Sequence, residues 1–174
     1  MKKLFIVSLA SLFLVSAILL AGRTPDVSAS GASVMEFNNL AGVSRPYTGS
    51  INPIRGINGG GLPWVVRMAE GELKSNGKLE IQVFGLVIDP ADPTAIARGV
   101  AGTNPSTSFK AVVSCLSKDA AGNPTTVNVS TGLFPADAMG NSVIEETIML
   151  PKPCIAPIVF VTSPTGAWFA AMGN

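Results

Sequence analysis

The residues best placed to do chemistry in this sequence are carboxylates, because it contains no histidine at all. Glu145 and Glu146 are adjacent in Ser142–Leu150, a stretch that reads as a strand. Neighbouring strand residues face opposite sides, and Glu146 shares its phase with Ile144, Ile148 and Leu150. One of the two glutamates is therefore expected to point inward, and Glu146 is that one. A carboxyl taken out of water holds its proton more tightly and can serve as a general acid. The opposing expectation is structural, since inward charges also guard sheet edges against aggregation.

Glu70 and Glu72 are the other pair, two residues apart on one strand face. Two-carboxylate glycosidases need such a pair about 5–9 Å apart across a cleft, whereas on an open strand face the same spacing is ordinary solvated surface. Asp89-Pro-Ala-Asp92-Pro93, and Asp119 with Asn123, offer loop oxygens of the kind Ca²⁺ prefers. Neither follows the EF-hand spacing, and Asp or Asn beside Pro or Gly also builds plain turns. Gly56-Ile-Asn-Gly-Gly-Gly61 lacks the Lys-Ser/Thr and the following helix of a phosphate-binding loop. Asn128-Val-Ser130 matches a glycosylation acceptor, a match that would carry no meaning if the source were bacterial.

Without histidine, a Ser-His-Asp triad, a Cys-His dyad, a His-based zinc site and an HExxH metalloprotease are all excluded. No catalytic, cofactor-binding or metal-binding residue is assigned, and no cofactor is expected. Charged residues make up 13% of the chain and the formal net charge is +1, so no basic face exists to neutralise nucleic-acid phosphates.

These groups must be positioned by short strands. From Trp64 onward, stretches rich in Val, Ile, Thr and Phe alternate with turn signals. Trp64–Lys74 reads as one strand with a bulge at Gly71. Lys78–Ile88 reads as the next, turned over at Gly85 where the apolar phase shifts. Asn76-Gly77 between them predicts a type I′ hairpin turn. Thr107–Leu116, Thr125–Thr131, Ser142–Leu150, Ile155–Thr162 and Ala167–Met172 complete about seven strands, with Leu133–Asn141 a loop. Ser163-Pro-Thr-Gly166 predicts a type I turn closing a terminal hairpin. The expected fold is all-β, an immunoglobulin-like antiparallel β-sandwich over residues 63–174, with a small β-barrel as the alternative. The terminal hairpin is apolar on both faces: it is either buried between the sheets or leaves Val159, Val161 and Phe169 as an exposed patch for a partner.

Met1-Lys2-Lys3 followed by the apolar run Leu4–Leu20 reads as a secretory signal peptide. Cleavage is expected after Ala29, with Ala21 as a second site; an uncleaved leader would be a membrane anchor, and the chain's one contact with a membrane. Residues 30–62, rich in Gly, Ser, Asn and Pro, read as a flexible linker or arm. Export favours pairing of the two cysteines, Cys115 and Cys154, as an inter-sheet disulfide.

Val112-Val-Ser-Cys-Leu116, Asn128-Val-Ser-Thr131 and Pro153-Cys-Ile-Ala-Pro-Ile-Val-Phe-Val-Thr-Ser-Pro-Thr-Gly-Ala-Trp-Phe169 resemble segments of small exported bacterial proteins of unassigned activity. That resemblance implies a secreted β domain and transfers no catalytic residue. The expected role is binding, adhesion or envelope structure, with an unknown extracellular or envelope partner. The alternatives are a carboxylate-based polysaccharide hydrolase and a calcium-stabilised surface module.

Overall fold

The structure, a computed structural model, describes residues 31–172; the expected signal peptide, residues 1–29, lies outside the described residues. In chain order the strands are β1 (Ser33–Phe37), β2 (Leu40–Gly42), β3 (Trp64–Val65), β4 (Met68–Lys74), β5 (Lys78–Phe84), β6 (Val87–Ile88), β7 (Ser108–Lys118), β8 (Pro124–Ser130), β9 (Phe134–Pro135), β10 (Ser142–Thr147), β11 (Ile155–Thr162) and β12 (Trp168–Met172). One short helix, α1 (Pro93–Ala97), lies between β6 and β7.

The alternation in Lys78–Phe84 does what its period requires: Leu79, Ile81 and Val83 are buried, and the residues between them face outward. With β5 at its centre, one antiparallel sheet runs β1-β4-β5-β10. The second runs β2-β12-β11-β7-β8, with β9 also paired to β7. Ala69, Leu73, Leu79, Ile81, Val83 and Ile144 from the first sheet join Phe109, Ala111, Val113, Val159 and Val161 from the second in one core. Trp64 stacks on Phe169 with ring centroids 3.8 Å apart, and Phe109 meets Phe169 edge-on.

If β4, β5, β7, β8, β10, β11 and β12 are named A, B, C, C′, E, F and G, the sheets read A-B-E and G-F-C-C′. That is the strand order of an immunoglobulin-like sandwich lacking strand D. Neither sheet closes on itself, which removes the small-barrel alternative.

Several expectations need correction. Trp64–Lys74 is two strands in different sheets: β3 pairs with β6, and β4 with β1 and β5. Gly71 carries no bulge in its pairing with β5; a Cβ there would sit 2.6 Å from the Phe37 ring, so the glycine makes room for that ring. The bulge falls instead between Ser33 and Met35 on β1. The Asn76-Gly77 hairpin forms, but only Gly77 adopts positive φ, and its N–H bonds to Lys74 O. This is a three-residue loop with glycine in the left-handed position, not type I′.

The segment read as a flexible arm is built into the sandwich. β1 and β2 extend the two sheets, and Leu40, Val43 and Ile57 are buried. Residues 54–60 cross the outer face of the second sheet: Trp168 donates its N–H to Asn58 O, and Arg55 donates to Ser114 O. Phe160 and Trp168, in edge contact on that face, are buried, as are Val159, Val161 and Phe169 on the other. Val159, Val161 and Phe169 therefore form no exposed patch, and the exposed apolar residues of the terminal hairpin are Ile155 and Ala156 at the start of β11. Glycine serves close approach here, since a Cβ on Gly59 would lie 2.0 Å from Tyr47 O.

Cys115 and Cys154 form a disulfide. Because Ile155 pairs directly with Leu116, the bridge joins neighbouring strands of one sheet and does not span the two.

Candidate functional site

Glu146 takes the inward phase expected of it, opposite Leu79, and is half-buried. Its carboxylate accepts a hydrogen bond from the backbone N–H of Gly132 at 2.7 Å. It thereby ties the chain leaving β8 to the outer strand of the opposite sheet. Glu145 points the other way, exposed, with Lys78 Nζ 3.5 Å from its carboxylate.

Strand register assembles an acidic row that no local motif announces. Glu36 pairs with Glu72, Glu72 with Glu80, and Glu80 with Glu145, so one glutamate from each strand lines up across the whole first sheet. Glu70 stands in the next row, opposite Gln82. Like charges placed side by side repel, and two lysines offset this: Lys74 lies 3.4 Å from Glu72, and Lys78 bonds Glu80 closely. The Lys78 hydrogen bond holds the Glu80 carboxyl below its ordinary range, and the same bond raises Lys78. Glu70 and Glu72 thus share a face as expected, where with Glu36, Glu80, Phe37 and Gln82 they line a shallow hollow of about 470 Å³, while Glu146 lies on the opposite side of the sheet.

The loop carboxylates are occupied by backbone. Asp92 caps α1, accepting from Ala95 N–H at 2.9 Å and from Arg45 Nη2 at 2.8 Å. The Arg45 hydrogen bond is the main cause that lowers its pKa. Asp89 accepts from Ala91 N–H within its own turn. Asp119 accepts from Ala121 N–H, Asn123 N–H and the Asn123 side-chain amide. Asp137 makes the same three bonds to Met139 and Asn141. Among the described residues no group of three or more Asp, Glu or Cys is arranged to hold a metal ion. Gly56–Gly61 belongs to the segment packed over β11 and β12, and Asn128 donates its side-chain amide to Arg55 O.

A feature that the sequence reading did not single out is a cleft of about 330 Å³ between the β3–β6 ribbon and the loop of residues 137–141. Val65, Val66, Val87 and Met139 give it apolar walls, with Arg67 and Asn141 at its border. Gly85 creates it: with φ +67° it turns the chain from β5 into β6, and its N–H is held by Asn141 Oδ1. Arg67 forms no ion pair with any described carboxylate. The phase shift at Gly85 was the available signal for it.

Comparison with protein-family models, with curated proteins and with solved structures finds no match. The site must therefore be judged on its own geometry. An apolar cleft bordered by one guanidinium suits a ligand with an apolar body and a single anionic group.

Proposed function

We propose that this chain is an exported, non-enzymatic β-sandwich that binds its ligand without transforming it, in a binding, adhesion or envelope role. The observation that carries this reading is the Arg67 guanidinium, paired with no described carboxylate, at the border of the Val65–Val87–Met139 cleft. Its size falls at the lower end of the ~300–1,000 Å³ range of small-ligand sites. The disulfide and the lysine-led apolar leader support an oxidising, extracytoplasmic setting.

The rival hydrolase is less well supported. Its carboxylates line a shallow hollow of about 470 Å³ on the outer face of the first sheet, and Lys74 and Lys78 partly neutralise them. The calcium module fares similarly, because Asp119 and Asp92 spend their oxygens on loop and helix N–H groups.

Anilinonaphthalene sulfonate, an apolar ring system carrying one anion, is the matched probe. Saturable binding that Arg67→Ala weakens and Met139→Asp abolishes is expected. Absence of saturable binding, or indifference to both substitutions, overturns the cleft as the site. Release of reducing ends from an extracellular polysaccharide, lost in Glu72→Gln, would establish the hydrolase instead.

A further inference from the structure

The sandwich leaves one long strand edge undefended, and it is chemically symmetric about its own centre. Among the described residues the other edges carry some device against further pairing. β1 has its bulge and Glu36. β2 is followed by Val43, whose carbonyl accepts from Trp64 N–H at 2.8 Å, so that β3 closes over that side. β10 carries Glu145 and Glu146 and is flanked by the chain from Gly132 to β9, with Ser142 Oγ bonded to Pro135 O. β8, at the end of the second sheet, has Pro124 at its first position and the Asn128 side-chain amide bonded to Arg55 O on its outer face, but no bulge, no charged side chain and no strand covering its free edge. From Thr125 to Ser130 it holds no charged side chain. Among the described residues its backbone groups make no hydrogen bond outside the ladder to β7.

The order of side chains says what fits there. Thr125, Val127 and Val129 are half-buried on one face, while Thr126, Asn128 and Ser130 are exposed on the other. An antiparallel strand of the same sequence, centred on Val127, places Thr125 opposite Val129 and Val127 opposite Val127. The other face then sets Thr126 against Asn128. β-Branched residues thus meet β-branched residues, and hydrogen-bonding side chains meet their like, which are the favourable cross-strand pairings. A strand of zero charge meets no repulsion from its own copy.

We propose that β8 is a self-association edge: two copies of this chain pair β8 to β8 about a twofold axis, joining their larger sheets into one continuous sheet. Such an interface is isologous and closes at two subunits. It stands independently of the ligand cleft, which lies at the β3–β6 ribbon.

The test is sedimentation of the full exported protein with its disulfide intact, over a concentration series. A monomer–dimer equilibrium is expected. Thr126→Lys with Asn128→Lys puts like charges at the seam and is expected to raise the dimer Kd by more than about tenfold. The matching Thr126→Glu, Asn128→Glu chain should do the same alone. An equimolar mixture of the two should restore the dimer, a rescue that a folding defect could not produce. A strictly monomeric wild type, a dimer indifferent to the lysine pair, or failure of the mixture to re-associate would each overturn the proposal.

Discussion

Asp119 and Asp137 hold two separate loops in the same geometry, each accepting from the N–H two residues on, the N–H four residues on, and the side-chain amide of that fourth residue. The local sequences, Asp119-Ala-Ala-Gly-Asn123 and Asp137-Ala-Met-Gly-Asn141, differ at one position. One loop joins β7 to β8, and the other leads into β10 and walls the apolar cleft.

That geometry makes stability depend on acid. Hydrogen bonds from Asn123 and Asn141, backbone first, hold both carboxyls below their ordinary value of 3.8. Groups depressed on folding stabilise the fold above the unfolded value, and the contribution is lost as pH falls through the lower, folded values. Thermal midpoints are expected to drop as pH is taken below about 4. Asp119→Asn with Asp137→Asn should flatten that slope while lowering stability at neutral pH. An unchanged slope would show that other groups set it.

The disulfide closes a loop with a sequence separation of 39. Chain-entropy arguments assign such a loop about 4 kcal/mol. Urea titration of the reduced protein, or of Cys115→Ala with Cys154→Ala, is expected to show a loss approaching that figure. Cys115 is fully buried in the core, so the double alanine variant adds a packing loss that reduction alone does not.

Two glycines separate backbone strain from collision. Gly122 and Gly140 occupy matching positions with φ of +85° and +75°. A Cβ on Gly122 meets nothing, while one on Gly140 would lie 2.1 Å from Leu86 O. Gly122→Ala should cost about 1 kcal/mol, the penalty of the left-handed conformation. Gly140→Ala should cost clearly more, and should also disturb the hydrogen bond from Leu86 N–H to Gly140 O. Equal losses in chemical denaturation would refute the distinction.

Glu146 is expected to act as a brace. Glu146→Ala removes the acceptor for Gly132 N–H and should destabilise by about 1–2 kcal/mol. Glu146→Gln keeps an oxygen in place and should recover much of that loss. If both variants are as stable as the parent, the hydrogen bond contributes nothing measurable.

Much of the sandwich is legible in the chain because half-buried strands must alternate. Lys78–Phe84 shows its phase openly, and Ser163–Gly166 shows its turn. Even the inward phase of Glu146 follows from Ile144. What escapes is whatever depends on residues distant in sequence. Gly132, the partner of Glu146, lies in a loop with no pattern pointing to it. The glutamate row needs four strands in register before it exists. The hairpin at Asn76-Gly77 was visible, but which residue takes the positive φ was not, because the loop gains a third member, Ser75. The cysteine pair was legible, whereas its placement within one sheet depended on β11 pairing β7.

The passage of residues 54–60 over Phe160 and Trp168 has a practical consequence for anyone dissecting this molecule. Compositional bias invites trimming everything ahead of Pro63 as dispensable. That cut would lay bare two large aromatic side chains, discard the outermost strand of both layers and leave the Ser114 carbonyl without its arginine. Precipitation of such a fragment would report on the scissors, because the two layers already include the chain from Ser33 onward.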